Sequence, residues 1–203
     1  MRPAASEGTK VVDEGGVDRP DWSPTARLAA ANRMRDRLKG HAGLVALATE
    51  AAEFFAEIFS ADASAITLLR GSEFRTLVTV GEEAPGQSRH TDWEPYPTAT
   101  YPQIAEVLRA GRGYVSSIGN PGGIEESQSM LTSYRKGSCI GAPIIYRSDV
   151  LGEMFVSRRV GVHHFNGKDL AVALDLAHQL GFRIGPAVVA HDANNPGWWP
   201  VEG

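Results

Sequence analysis

The single cysteine, Cys139, stands in Gly137-Ser138-Cys139-Ile140-Gly141, the letters G-x-C-x-G of a nucleophile elbow. Such an elbow holds its nucleophile on a sharp turn between a strand and a following helix. Here the letters run into a continuous apolar segment containing Pro143, so a strand follows where the chemistry needs a helix. Cys139 therefore reads as a small buried hydrophobe rather than a reactive thiol. His163-His164, with Asp169 close by, are residue types that bind transition metals. Adjacent side chains point apart, however, and no His-x-x-x-His or Cys-x-x-Cys spacing completes a coordination sphere, so no metal site is expected. His178 falls within a helical stretch and reads as packed or interfacial rather than as a haem ligand.

Two further patterns suggest anion binding and then argue against it. The turn Gly119-Asn120-Pro121-Gly122-Gly123 precedes a helix whose free N–H groups would suit phosphate. Glu125 and Glu126 occupy that first turn, complement the helix dipole themselves and repel an anion, and the P-loop lysine is missing. Arg27, Arg33, Arg35, Arg37 and Lys39 crowd one segment against Asp36, a charge run that reads as a solvated face. With a formal net charge of −4 and no recognition-helix motif, nucleic acid is not an expected partner. Arg158 and Asp169 are expected to pair across a strand-to-helix turn.

The elements that position these residues follow from periodicity. Ser23 before Pro24 marks a helix start, and the helix runs to residue 39. Leu44, Leu47, Ala48, Ala51, Phe54, Phe55 and Ile58 form the i, i+3, i+4 stripe of a second helix. Residues 63–69 and 74–80 are β-branched or alternating and join across Arg70-Gly71-Ser72 as a hairpin. Residues 81–100 carry three prolines and little periodicity, predicting a long irregular excursion. A short helix (101–110), a strand (114–118) and another helix (124–134) come next. Strands 138–146 and 150–160 flank Arg147-Ser148-Asp149. A final helix runs from residue 166 to about 190, with the stripe Leu170, Leu174, Ala177, Leu180 and Ile184. There is no internal repeat.

At 203 residues, 42% apolar and 22% charged, the chain suits one folded core. Residues 1–22 read as a disordered N-terminal tail, 23–190 as the single domain with its N-terminal helices, and 191–203, with Trp198-Trp199, as a C-terminal tail unable to continue a helix. No apolar run approaches the roughly 18 residues a membrane span needs, and the start lacks a secretory apolar region. One cysteine fits a reducing compartment, so a cytoplasmic protein is expected.

The element order over roughly 44–189 resembles the GAF domain family. Ser138-Cys139-Ile140-Gly141-Ala142-Pro143-Ile144 looks like the family's strand with a Ser…Pro-hydrophobic signature, and Val150-Leu151-Gly152-Glu153-Met154-Phe155-Val156 like the strand after it. Phe165 and Asp169 match the residues before the last helix. The resemblance implies an α+β fold, a GAF/PAS-like central antiparallel sheet of about five or six strands flanked by helices. It also implies a ligand between the sheet and the irregular middle, where Trp93, Tyr96, Tyr101, Ser116, Tyr134 and Cys139 are the candidate lining residues. Ser157-Arg158 and Asp169-Leu170 depart from the Asn-Lys and Asp-Glu pairs of cyclic-nucleotide members, so that ligand is not carried over. The expected function is a non-catalytic small-molecule sensor or signalling domain, ligand and cofactor open, acting as a homodimer through its terminal helices or on a signalling partner. A ligand-free dimerisation or docking module is the alternative. A methionine sulfoxide reductase-like enzyme using Cys139 is a third reading, set against by the absence of a second cysteine.

Overall fold

The computed structural model describes residues 11–12, 18–19, 22–82, 94–120 and 123–195. Strands β1 (Val11–Val12) and β2 (Asp18–Arg19) pair as a two-residue ladder inside the stretch expected to be an unordered tail. Trp22, also assigned to that tail, is docked: its indole donates to Asp169 Oδ1 at 2.6 Å and packs 5.5 Å from the Phe59 ring.

Helix α1 (Pro24–Arg37) starts where expected, with Ser23 Oγ accepting from the Ala26 amide at 3.3 Å. Helix α2 (Leu44–Ile58) buries the stripe read from the sequence. The order continues with β3 (Ala63–Arg70), β4 (Glu73–Gly81), β5 (Tyr96–Pro97) and a 3-10 turn (Thr98–Thr100). Then come α3 (Pro102–Arg109), β6 (Tyr114–Ser117), α4 (Glu125–Ser133), β7 (Lys136–Tyr146), β8 (Asp149–Arg159) and α5 (Gly167–Asn194).

The six strands β3 to β8 form one antiparallel sheet in the order β5-β4-β3-β8-β7-β6. Alternation along each strand sorts the residues between two faces. Ile140, Ala142, Ile144, Met154 and Val156 enter the large core shared with α1, α2 and α5, while Leu69, Phe74, Tyr114 and Cys139 enter a smaller cluster with Ile104, Leu108 and Leu131 of α3 and α4. Helix α5 outruns its expected end at about 190 and stops only at Asn194, because the helix breaker is Pro196 rather than the polar residues before it. The Trp198-Trp199 pair lies outside the described residues.

Arg158 is fully buried, and it does not meet Asp169 as expected. Its guanidinium donates to the Phe59 carbonyl from Nε at 3.1 Å and to the His163 carbonyl at 3.2 Å, and its Cζ lies 3.9 Å from the Phe165 ring centre. Asp169 is engaged instead by Trp22 and by a capping box with Asn166, whose amide donates to Oδ2 at 2.9 Å. Two arginines of α1 turn to acids on α2: Arg37 pairs with Glu50 and Glu57, and Arg33 with Glu57.

Helix α5 crosses β7 at two glycines. A Cβ on Gly181 would run into the Ile145 carbonyl, and one on Gly185 into the Tyr146 ring. Gly181→Ala is expected to cost about 1–3 kcal/mol through overpacking. Gly167→Ala, where nothing lies within 4 Å, should stay within about 0.5 kcal/mol. Urea unfolding of the two variants checks the difference.

Candidate functional site

The smaller apolar layer is a roof built from β5, the 3-10 turn, α3 and α4. Helix α3 has Tyr101 at its N-cap and no local side-chain cap. Its orphan donors are satisfied from α4 instead, where Glu126 accepts from the Gln103 amide at 2.9 Å and from the Ile104 amide at 3.0 Å. Ser116 and Ser127 hydroxyls, 2.6 Å apart, fasten α4 to β6. The Thr98 amide donates to the Ser72 carbonyl at 2.7 Å, and Arg109 donates to the Gly71 carbonyl at 2.5 Å, so the turn and α3 are both tied to the β3–β4 hairpin.

Between roof and sheet lies a cavity of about 420 Å³. Thr67, Thr76, Thr79, Glu153, Phe155 and Ser157 are its floor, and Tyr96, Tyr101, Ile104, Met130 and Tyr134 its walls and roof, with Glu94 and Lys136 also lining it. The mixture of aromatic walls and a few placed polar groups is that of small-molecule sites. Thr67 and Thr76 satisfy each other across β3 and β4 at 3.1 Å. Thr79 Oγ1 and Glu153 Oε1 are buried with no hydrogen-bond partner among the described residues. Lys136 spends its ammonium on the Glu82 carbonyl.

Glu153 is the unusual group, a carboxyl only 8% exposed on the central strand β8. Burial raises its pKa to about 7, with the Tyr114 phenol beside it opposing part of that rise. Burial also lifts the Tyr96 phenol to about 12 and the Tyr114 phenol well above its ordinary value, so both stay neutral donors. Room for the Glu153–Tyr114 contact exists because residue 141 is glycine: a Cβ there would overlap Glu153 Oε1 and the Tyr114 ring.

Of the residues singled out from the sequence, Tyr96, Tyr101 and Tyr134 line this cavity. Trp93 lies outside the described residues. Ser116 and Cys139 do not line it: Ser116 is spent on Ser127, and Cys139, with no exposed surface, is sealed in the cluster with Leu131. Burial raises the Cys139 thiol, keeping it protonated. Among the described residues no three His, Cys, Asp or Glu side chains gather into a metal site. Glu153 was missed by the sequence reading. Its signal was a lone carboxylate at a position of β8 facing the same side as Phe155 and Ser157, between apolar neighbours.

Two outcomes are expected. The folded-state pKa of Glu153, about 7, lies above its model-compound value of 4.5, so the stability it contributes is full below about pH 4.5 and is lost as pH rises through about 7. Glu153→Gln removes that dependence, and its stability advantage over the wild type should grow by about 2–3 kcal/mol between pH 5 and pH 8 in urea titrations. Cys139 in the native protein should react with a thiol-specific disulfide reagent at least ~100-fold more slowly than in urea, because reaction waits on opening of the roof.

Comparison with known proteins fits this geometry. The family model for the GAF domain matches residues 43–184. No curated protein matches the chain. The phycocyanobilin-bound GAF domain of a cyanobacterial phytochrome superposes with a TM-score of 0.64 at 14% identity, covering 81% of this chain and 97% of that one. The GAF domain from an Acinetobacter phosphoenolpyruvate-protein phosphotransferase gives 0.62 at 15% identity, covering 82% and 97%. A GAF domain/HD domain protein from Geobacter sulfurreducens gives 0.58 at 14% identity, covering 75% and 99%. At these identities the likeness is one of fold, and together with the match across 43–184 it establishes that the chain belongs to the GAF domain family.

Proposed function

We propose that this chain is a non-catalytic sensor domain that holds a small molecule between its sheet and the α3–α4 roof. The observation that carries the reading is the cavity of about 420 Å³ with two buried polar atoms, Thr79 Oγ1 and Glu153 Oε1, that have no hydrogen-bond partner among the described residues. Buried polar atoms are normally satisfied, and a ligand supplies what the protein leaves open. Fold relatives that carry phycocyanobilin or biliverdin lend support, since the same architecture accommodates a bound small molecule in those proteins. The buried, protonated thiol of Cys139 argues against the sulfoxide reductase reading.

Occupancy would act through the roof, because Glu126 couples α3 to α4 and α4 leads directly into β7, on which α5 packs. The output is a change in α5 passed to a second copy or to a signalling protein, in a reducing cytoplasm. Phe182 and Val189 on α5, 56% and 60% exposed, and Leu28 on α1 at 63% support a homodimer through the terminal helices. The same residues favour the second reading, a docking module that needs no ligand.

Native mass spectrometry of the purified protein and of Ala65→Phe, which adds a ring at Ala65 of β3, also a lining residue of the cavity, separates the two. The wild type should retain a reproducible added mass, or gain thermal stability from a small-molecule panel, and Ala65→Phe should do neither while keeping its oligomeric state. No added mass and no thermal shift in the wild type overturns the sensor reading and leaves the docking module.

A further inference from the structure

The chemistry of the cavity narrows what it takes, provided the sensor reading holds. We propose that the cavity binds a small organic cation, an ammonium or amidinium carried on a compact apolar body, with the charged nitrogen on Glu153. Two features converge on this. Glu153 is a buried carboxyl lining the cavity; its Oε1 has no hydrogen-bond partner among the described residues and lies over Gly141 beside the ring of Tyr114, itself a lining residue, so the acceptor is already desolvated at the cavity wall. Phe74, Tyr96, Tyr101, Tyr114, Tyr134 and Phe155 put six aromatic rings around the same space, and ring faces attract a cation within about 6 Å. The two together, carboxylate and aromatic wall, hold a charged nitrogen more strongly than either alone.

The opposing charge is engaged elsewhere. Among the described lining residues Lys136 is the sole cation. Its backbone pairs in register with Arg159, six residues along β8 from Glu153, a backbone spacing of roughly 20 Å at about 3.3 Å per residue, and its ammonium donates to the Glu82 carbonyl. The titratable groups close to Glu153 are Tyr114 of β6, Cys139 of β7 and Tyr96 of β5, all with raised pKa values and therefore neutral. Tyr101 and Tyr134 on the roof and Glu94 at the rim complete the set facing the cavity, and Glu94 adds negative charge. A cation is thus favoured at the Glu153 end and an anion disfavoured. Because Glu153 must be ionised to bind, affinity for the cation rises with pH through about 7, by roughly tenfold from pH 6 to pH 8.

Three probes that share a benzyl group and differ in charge test this by calorimetry or ligand-observed NMR on the whole chain: benzylammonium, benzyl alcohol and phenylacetate. The expected result is that benzylammonium binds at least ~10-fold more tightly than the other two at pH 8, weakens about tenfold at pH 6, and loses its advantage in Glu153→Gln. The pH series on the wild type stands by itself if that variant does not fold. Equal or tighter binding of the neutral or anionic probe, indifferent to Glu153 and to pH, overturns the cation assignment and leaves the sensor reading intact. Failure of all three to bind also overturns the assignment, and the Ala65→Phe comparison then decides whether the pocket binds anything.

Discussion

The β7–β8 hairpin is buried on both faces, and most of the architecture follows from that constraint. An antiparallel sheet commonly leaves one face to water, which gives alternating polar and apolar residues. Here nine consecutive residues of β7, Lys136 to Ile144, are buried, so two separate layers must cover them. The helical layer takes Ile140, Ala142, Ile144, Met154 and Val156 into a continuous core. The other layer is thinner and is held down by specific bonds more than by area: Glu126 on α3, Ser127 on β6 and Arg109 on the β3–β4 turn. A roof fixed at a few points can stand off a sheet, and the gap beneath it is the cavity.

The helical layer is fixed at one corner by a charge rather than by an apolar side chain. Arg158 is taken wholly out of water, a costly placement unless its donors are met. The Phe59 and His163 carbonyls meet them, and the Phe165 ring covers the guanidinium. One side chain therefore joins the end of α2, the end of β8 and the turn into α5. Trp22 continues the corner by packing its ring at a tilt against Phe59 and donating to Asp169. The chain ahead of α1 is thereby brought onto the same point from which α5 begins.

What could be read from the sequence was what repeats with a fixed period. The stripes of α2 and α5, the hairpin around Gly71 and the alternation on β8 are local patterns, and the six-stranded sheet follows from their order. Contacts between residues distant in the chain left no such trace. Asp169 and Arg158 were natural partners by charge, yet Trp22 reaches the aspartate across 147 positions and the Phe59 carbonyl reaches the arginine across 99. Cys139 and Ser116 were expected to line the pocket because the family resemblance implies a ligand between the sheet and the irregular middle. Whether a side chain on the correct face meets a cavity or a packed helix depends on where α4 settles, and it covers both, Ser127 bonding Ser116 and Leu131 packing in the cluster with Cys139.

Glu153 escaped notice for the opposite reason. A single glutamate in the apolar text of β8 is a local inconsistency, and inconsistencies of that kind gather at functional sites. Its cost is tangible, since burial moves its pKa to about 7 and no described cation stands beside it. Replacement of a buried charged group by an apolar residue of similar size is often neutral or stabilising, so stability alone does not explain such a residue. Gly141 sharpens the point, because the strand gives up a side chain to seat the carboxyl against Tyr114. Two neighbouring positions on the sheet floor thus bear a cost, and under the proposed sensor reading a molecule bound there would remove part of it. A sensor needs that difference in energy between empty and filled states, because a ligand shifts a conformational equilibrium only by its differential affinity for the two.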